Sequence, residues 1–464
     1  MAGIGFRIEK ILSGDTYIDV VKAHFYSTMI FFGPWLMSII TIFCLSYFLP
    51  SNISPGELIL FKTTIIYIFA FSLIGVGFLY LSLPRYLSDK LYLKETEAIV
   101  PILNSATLLV CILQTIIGVT FSFFLDISLP SKVLIVMIYV TISTLWVMMI
   151  FLTALRDYKA VTLIFLVGSI ITLASAIFWG SQWGLEGYFL GYFLGHFIIM
   201  TMLAGRIFIE FNSKRFFDLG LFSFLANNKA LVFLGIFYNL GIWIDKIIFW
   251  YSKKAIKING FLYSYSFYES TTFFAFLTII PALSIFLIHV ETDFYRKYKS
   301  YYTFILEKGT YSQILSAKNQ MLLSLRTSFA FVIIFQGVIS SLSILFAQQI
   351  LPILHQEAVQ IPLFRLAVVG AFLNSLLLII IILILYFDFK ELALAVTVVF
   401  FLSNSVWTWG TTCLPLEFLG YGYLCGAFTA LVFAFYALDY KLKRLEYYTF
   451  ALQPIASHRE EEIL

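Results

Sequence analysis

Residues 363–387 read LFRLAVVGAFLNSLLLIIIILILYF, with a single ionisable side chain, Arg365, near the first end. Wound as an α-helix, such a run exceeds the ~20 apolar residues needed to cross a hydrocarbon core about 30 Å thick. It reads as a transmembrane helix. Eleven further apolar runs flank it, at 25–48, 58–83, 99–124, 133–155, 161–179, 188–205, 230–250, 270–290, 322–346, 391–410 and 421–438. The whole chain agrees. Of its 464 residues 61% are hydrophobic and 12% charged, with a mean hydropathy of +0.94 and 51 phenylalanines. A soluble domain carries about 25% charged residues, and its buried fraction levels off near ~75%, so a soluble fold could not hide this much apolar surface. Soluble enzyme, nucleic-acid-binding protein and secreted disulfide scaffold are excluded. Strand-period alternation is not evident, which argues against a β-barrel. The fold expected is an all-α polytopic membrane protein of twelve transmembrane helices.

Twelve spans place both termini on one side, and the charge bias says which. With the termini in the cytoplasm, the cytoplasmic segments carry 22 of the 30 Lys and Arg residues; the outer loops carry Lys132, Lys253, Lys254 and Lys257. Lysine and arginine favour the cytoplasmic side. The chain then divides into an amphipathic N-terminal segment (1–24), a first lobe (25–205), a linker with a surface helix (206–229), a second lobe (230–438) and a cytoplasmic tail (439–464). The segment 1–24 has no apolar signal-peptide core, so the first span is expected to direct insertion uncleaved. A loop near 291–321, with Phe294, Tyr298, Tyr301, Tyr302 and Ile305 at helical spacing and Arg296, Lys297 and Lys299 on other faces, reads as a helix lying in the membrane interface.

One internal echo supports a six-plus-six division. Gly187-Tyr188-Phe189-Leu190-Gly191 and Gly422-Tyr423-Leu424-Cys425-Gly426 lie 235 positions apart, each just after a Leu-Glu-containing loop. Small-xxx-small spacing lets helices approach closely, and its recurrence marks the halves as parallel pseudo-repeats.

Enzyme chemistry finds no support. No P-loop, HExxH or CxxC pattern occurs, the five histidines are scattered, and no loop could hold a catalytic domain. Cys44, Cys111 and Cys425 sit inside apolar runs and Cys413 in a loop, which implies no disulfide framework. What remains for a compact twelve-helix bundle is transport.

Charges inside spans are the candidates for the path, because an ionisable group at mid-bilayer costs about 2.5–3.5 kcal/mol on insertion scales. In the seventh span Asn239, Trp243, Lys246 and Trp250 share one stripe, with Asp245 about 100° away. The stripe reads as the wall of a wet cavity, its indoles suited to the apolar faces of sugar rings. It is also compatible with an interfacial anchor in which Lys246 snorkels and the tryptophans form a belt. Lys62 and Arg365 are further path candidates close to span ends. Asn104, Gln114, Gln336, Asn374 and Asn404 are expected to bond across helices. Gly33, Pro34 and Pro281 are hinge candidates, since proline frees backbone carbonyls in a helix.

Three stretches, Met1–Leu12 (MAGIGFRIEKIL), Pro84–Tyr92 (PRYLSDKLY) and Tyr238–Lys246 (YNLGIWIDK), resemble the PelG family of exopolysaccharide transporters, within the multidrug/oligosaccharidyl-lipid/polysaccharide exporter superfamily. The resemblance implies two six-helix bundles around a central cavity lined by spans one and seven, with Gly33-Pro34 and Asp245-Lys246 on the path. It further implies a bacterial inner-membrane location, an amino-sugar-rich biofilm polysaccharide as substrate, and a cytoplasmic glycosyltransferase with other membrane components of the Pel synthase complex as partners. No catalytic or metal site, cofactor or nucleic acid is implied. The driving source is left open between polymerisation and a proton or sodium gradient, for which Asp245 would be a suitable site. The tail Glu460-Glu461-Glu462 has no place in the family pattern. A lipid-linked oligosaccharide flippase, or a cation-coupled small-molecule or drug antiporter of similar fold, is the alternative reading. The major-facilitator pattern is not met, because Asp89-Lys90 is followed by Leu91-Tyr92-Leu93-Lys94 without its glycine and paired bases.

Overall fold

The computed structural model describes residue 41 and residues 53–152, 158–289 and 293–451. The N-terminal segment, Gly33, Pro34 and most of the first expected span, and the acidic tail, lie outside the described residues.

Helices α1 (Pro55–Tyr80), α2 (Ser82–Tyr92), α3 (Ile99–Ser122), α4 (Leu129–Leu152) and α5 (Tyr158–Glu210) form the first lobe. After a short helix α6 (Gly220–Asn227), α7 (Lys229–Trp250) enters the second lobe and a two-stranded hairpin follows, β1 (Ile256–Asn259) and β2 (Leu262–Ser264). The second lobe continues with α8 (Ser266–Leu277), α9 (Ile280–His289), α10 (Tyr295–Leu306), α11 (Tyr311–Leu345), α12 (Ala347–Ile353), α13 (Ile361–Tyr386), α14 (Lys390–Thr412), α15 (Tyr421–Lys443) and α16 (Leu445–Phe450). Among the described residues nine helical stretches are long and apolar enough to cross a membrane. Two of them start at side-chain caps. Ser54 and Glu57 form a capping box at α1, with Glu57 N–H donating to Ser54 Oγ at 3.2 Å, and Thr310 with Gln313 does the same at α11.

Helix α5 absorbs two expected spans. At Gly184 the backbone turns to φ 58°, ψ −135°, a conformation open to glycine and strained for other residues. The two legs then pack antiparallel: a Cβ on Gly191 would lie 2.3 Å from Ala176, and one on Gly195 1.9 Å from Thr172 Oγ1. Helices α14 and α15 repeat the arrangement, with a Cβ on Gly426 falling 2.6 Å from Asn404. The same side chain closes both contacts: Ser175 Oγ donates to the Gly191 carbonyl at 2.9 Å, and Ser403 Oγ to that of Gly426 at 2.9 Å. The glycine echo in the sequence is therefore one packing motif built twice.

Helix α7 lies along the seam between the lobes, packed on α1 of the first and α14 of the second. On the first side, a Cβ on Gly235 would sit 2.1 Å from the Gly77 carbonyl oxygen, and Asn239 Nδ2 donates to the Leu73 carbonyl at 3.2 Å. On the second, Asn404 Nδ2 donates to the Gly241 carbonyl at 2.8 Å. Backbones approach this closely only where side chains are absent.

Three expectations are corrected. Strand alternation does occur locally, in the Ile256–Ser264 hairpin, which has an antiparallel register of Ile256 with Ser264 and Lys257 with Tyr263. The 291–321 segment is no single interfacial loop, because α11 already begins at Tyr311. The aromatic face of α10 turns into protein: Phe294 and Tyr301 are completely buried, and Phe294 meets Tyr386 edge-on at 5.5 Å. Aromatic groups of α13 cover that face in place of lipid. The eighth expected span is broken between α8 and α9, and Pro281 stands in the first turn of α9. The linker 206–229 carries its helix at Gly220–Asn227 and is tied to the first lobe, with Tyr86 donating to Asp218 at 2.8 Å and Asn104 to the Phe216 carbonyl at 3.0 Å.

Gly235→Ile, which forces apart the α1–α7 contact, is expected to cost about 1–3 kcal/mol by overpacking. Gly337→Ile is the control, since nothing lies within 4 Å of a Cβ there. Thermal melts in detergent should fall by several degrees for the first and stay unchanged for the second.

Candidate functional site

The site is built on the last turns of α7. Asp245 is completely buried, and Lys246 nearly so. Adjacent residues on a helix diverge by about 100°, so a lysine must curl back to meet the preceding aspartate. It does so here: Lys246 Nζ donates to Asp245 Oδ1 at 3.1 Å, to Oδ2 at 3.0 Å and to the Ile242 carbonyl at 3.3 Å. An ammonium has three donors and all three are engaged. Tyr268 of α8 donates its hydroxyl to Asp245 Oδ2 at 2.8 Å. Three rings surround the ammonium, those of Trp243, Phe276 and Tyr423, with centroids at 5.7, 5.2 and 5.5 Å. Their electron-rich faces add cation–π attraction where water is excluded. Helices α7, α8 and α15 thus converge on one neutral pair.

A second carboxylate stands beside the first. Glu269 is buried at the start of α8 and accepts from Trp250 Nε1 at 2.8 Å, Tyr265 N–H at 2.7 Å and Ser264 Oγ at 3.2 Å. Among the described residues no cation lies within ion-pair distance of it. Asp245 and Lys246 pair with each other, and Glu269 is held by hydrogen-bond donors, with the Lys246 charge acting on it from farther off. Trp243 Nε1 and the Tyr423 hydroxyl are buried without hydrogen-bond partners among the described residues. They are donors on the wall of the cage.

The stripe read from the sequence is placed as follows. Asn239 and Trp250 face the first lobe: Asn239 bonds to Leu73, and Trp250, completely buried, stacks on Tyr67 of α1 at 4.1 Å. Trp250 is thus no part of an interfacial belt. Lys246 does not snorkel; it bonds back to α7 and stays inside protein. Lys62 is half-buried on α1 and makes no hydrogen bond or ion pair among the described residues. Arg365 donates from Nε to the Ile344 carbonyl at 3.3 Å, tying α13 to the end of α11. Neither joins the α7 cluster. Of the other polar candidates, Asn404 bonds across helices, whereas both polar atoms of Gln114 are buried without a partner among the described residues. Sequence reasoning missed Tyr268, Glu269 and Phe276. An acid at the mouth of the eighth span was the available signal for Glu269, and Phe276 had none.

This two-lobed arrangement is the fold of the multidrug and polysaccharide exporter (MOP) superfamily. The chain matches a variant of the Vibrio cholerae MATE transporter VcmN with a TM-score of 0.65 over 95% of this chain and 97% of that one, at 12% identity. A MOP superfamily transporter from Pyrococcus furiosus matches with a TM-score of 0.60 over 96% and 99%, at 13% identity. An inward-facing multidrug resistance MATE family transporter gives 0.58 over 89% and 95%, also at 13%. No curated protein sequence matches the chain. The chain belongs to the PelG exopolysaccharide exporter (EPS-E) family, whose model matches residues 1–450.

Removing one partner of a buried ion pair leaves an uncompensated charge and costs about 3–5 kcal/mol, whereas replacing both is often neutral. Lys246→Met is therefore expected to lower the melting temperature sharply, and Asp245→Asn/Lys246→Met to regain most of the loss. Equal melts for the single and double variants would show that the two side chains are not coupled.

Proposed function

We propose that this exopolysaccharide exporter moves its polymer along the seam that α7 shares with both lobes, with the Asp245–Lys246 pair on the path. The observation that carries the reading is the position of that pair. It lies inside protein on the helix that contacts both halves, fully hydrogen-bonded, beside two buried donors that have no partner among the described residues. Intramembrane charges of this kind mark transport paths more often than scaffolding. The ring faces of Trp243 and Tyr423, with their free N–H and O–H, suit a sugar's apolar face and hydroxyls. Lys62 and Arg365 are weaker members of the same proposal, and Asn239 acts in it by holding α7 to α1.

The orientation proposed is that of the charge bias: a bacterial inner-membrane protein with both termini in the cytoplasm and the Ile256–Ser264 hairpin facing the periplasm. Proposed partners are a cytoplasmic glycosyltransferase that feeds the polymer and other membrane components of the synthase. If the polymer carries free amines, moving each outward against an inside-negative potential costs about 2.3 kcal/mol per 100 mV. Polymerisation or a proton or sodium gradient would supply that work. Charge balance moves the favoured ion site from Asp245, which Lys246 pairs directly, to Glu269, which hydrogen-bond donors hold without a direct ion pair among the described residues. Pro281 is the proposed hinge of the broken α8–α9 span.

The test is surface polysaccharide from a deletion strain carrying wild type, Asp245→Ala, Lys246→Ala or the Asp245→Asn/Lys246→Met double variant, at matched membrane levels. Wild type should restore polymer. The double variant, folded but without the charges, should not. Normal export from the double variant would remove the pair from the path, and unchanged polymer in the deletion strain would favour small-molecule transport. Glu269→Gln should export with altered sensitivity to uncouplers; unchanged sensitivity would leave polymerisation as the driving source.

A further inference from the structure

The hairpin Ile256–Ser264 belongs to the second lobe by sequence but is seated on the first. At its tip Asn259 makes a reciprocal pair with the backbone of Asp126, in the loop after α3: Oδ1 accepts from Asp126 N–H at 2.8 Å, and Nδ2 donates to the Asp126 carbonyl at 3.0 Å. Gly260 has φ +51°, and a Cβ there would fall 2.0 Å from the Phe124 carbonyl oxygen, so the turn lies flat on that loop. On β2 the Tyr263 backbone pairs twice with Tyr67 of α1, whose hydroxyl donates to the carbonyl at 2.9 Å and accepts from the N–H at 3.2 Å. The ring of Phe261 packs on Phe121 at 5.4 Å, and Leu262 is buried in the core of the first lobe with Phe61, Ile65 and Tyr67.

The roots of the hairpin lead to the charged cluster. Ser264 and Tyr265, at its end, bond to Glu269, and Trp250, just before it, bonds to the same carboxylate. One residue from Glu269, Tyr268 holds Asp245. Among the described residues the opposite end of the seam is joined more lightly: Arg85 of the first lobe meets Asp388 of the second at 3.6 Å, with both side chains about half exposed, and Leu81 packs against the core of the second lobe. An exposed ion pair contributes about 0–1 kcal/mol, while the hairpin end combines four hydrogen bonds with aromatic burial.

We infer that the hairpin is a latch across the seam, which must leave the Asp126 loop and Tyr67 each time the lobes part at that end to release polymer. This rests on the export reading given above. The Asn259–Asp126 pairing suits such a latch, because two amide–peptide bonds are made and broken together and exchange for water at little net cost.

The test is Asp126→Cys/Asn259→Cys in a Cys413→Ser background, with the two single-cysteine proteins as controls. Wild type restoring polymer in the deletion strain is the check on the export reading itself. With the pair reduced, polymer should reach the single-cysteine level. After oxidation it should fall to the empty-vector level and recover on reduction. Continued export from fully cross-linked protein overturns the latch, and so does failure of the two cysteines to link, because the loops would then not be in contact in the membrane. Should the pair fold poorly, the Asn259→Cys protein alone gives a second readout. Its labelling by a membrane-impermeant maleimide should rise when the synthase is active, and labelling indifferent to polymer synthesis overturns the proposal.

Discussion

The structure depends on how closely α7 approaches α1. With Gly235 against the Gly77 carbonyl, the two backbones touch where any side chain would hold them apart. In lipid there is no hydrophobic drive for helices to associate, since the tails are as apolar as leucine; close packing and hydrogen bonds carry the contact. Among the described residues one line of contacts between the lobes follows this approach, from the glycines through Asn239 and Leu73 to Trp250 stacked on Tyr67. Held this way, α7 presents its remaining side to α8, α14 and α15, and its charged residues to their aromatic groups.

That placement explains how two formal charges persist among apolar helices. Lysine satisfies its three donors within its own helix and the neighbouring aspartate, so the pair needs little from outside beyond the Tyr268 hydroxyl and a low-dielectric ring cage. Such an arrangement tolerates burial because it is neutral as a unit. Glu269 is held differently, by donors from the indole, the backbone and a hydroxyl. One carboxylate is thus paired directly with a cation and the other held mainly by hydrogen-bond donors, on two helices that Tyr268 ties together.

Much of this was legible in the sequence because bilayer thickness dictates run length and lysine and arginine report sidedness. Span seven, its charged pair and the glycine echo could all be quoted before any coordinates. What periodicity does not supply is the identity of the neighbour. The α10 face with Phe294 and Tyr301 has the spacing of an interfacial helix, but Tyr386 and Phe387 cover it from about ninety positions away. The same limit hid Phe276 and Tyr423 from Lys246. The hairpin leaves little trace for another reason: strands of 4 and 3 residues are too short to establish a period of two. The Asn259-Gly260 dipeptide between apolar residues was its signal.

The seating of the hairpin also bears on biosynthesis. Trp250 and Leu262 fill a core that otherwise belongs to helices made far earlier, around Phe61, Ile65, Tyr139 and Tyr192. A ribosome that has delivered the chain only as far as α5 has therefore made a bundle whose core is still open at the hairpin end. That bundle closes when roughly fifty further residues, α7 and the hairpin, have emerged. The halves arise from one repeated pattern, yet they do not mature as equals: the first is completed by the second, and the order of synthesis becomes part of the architecture.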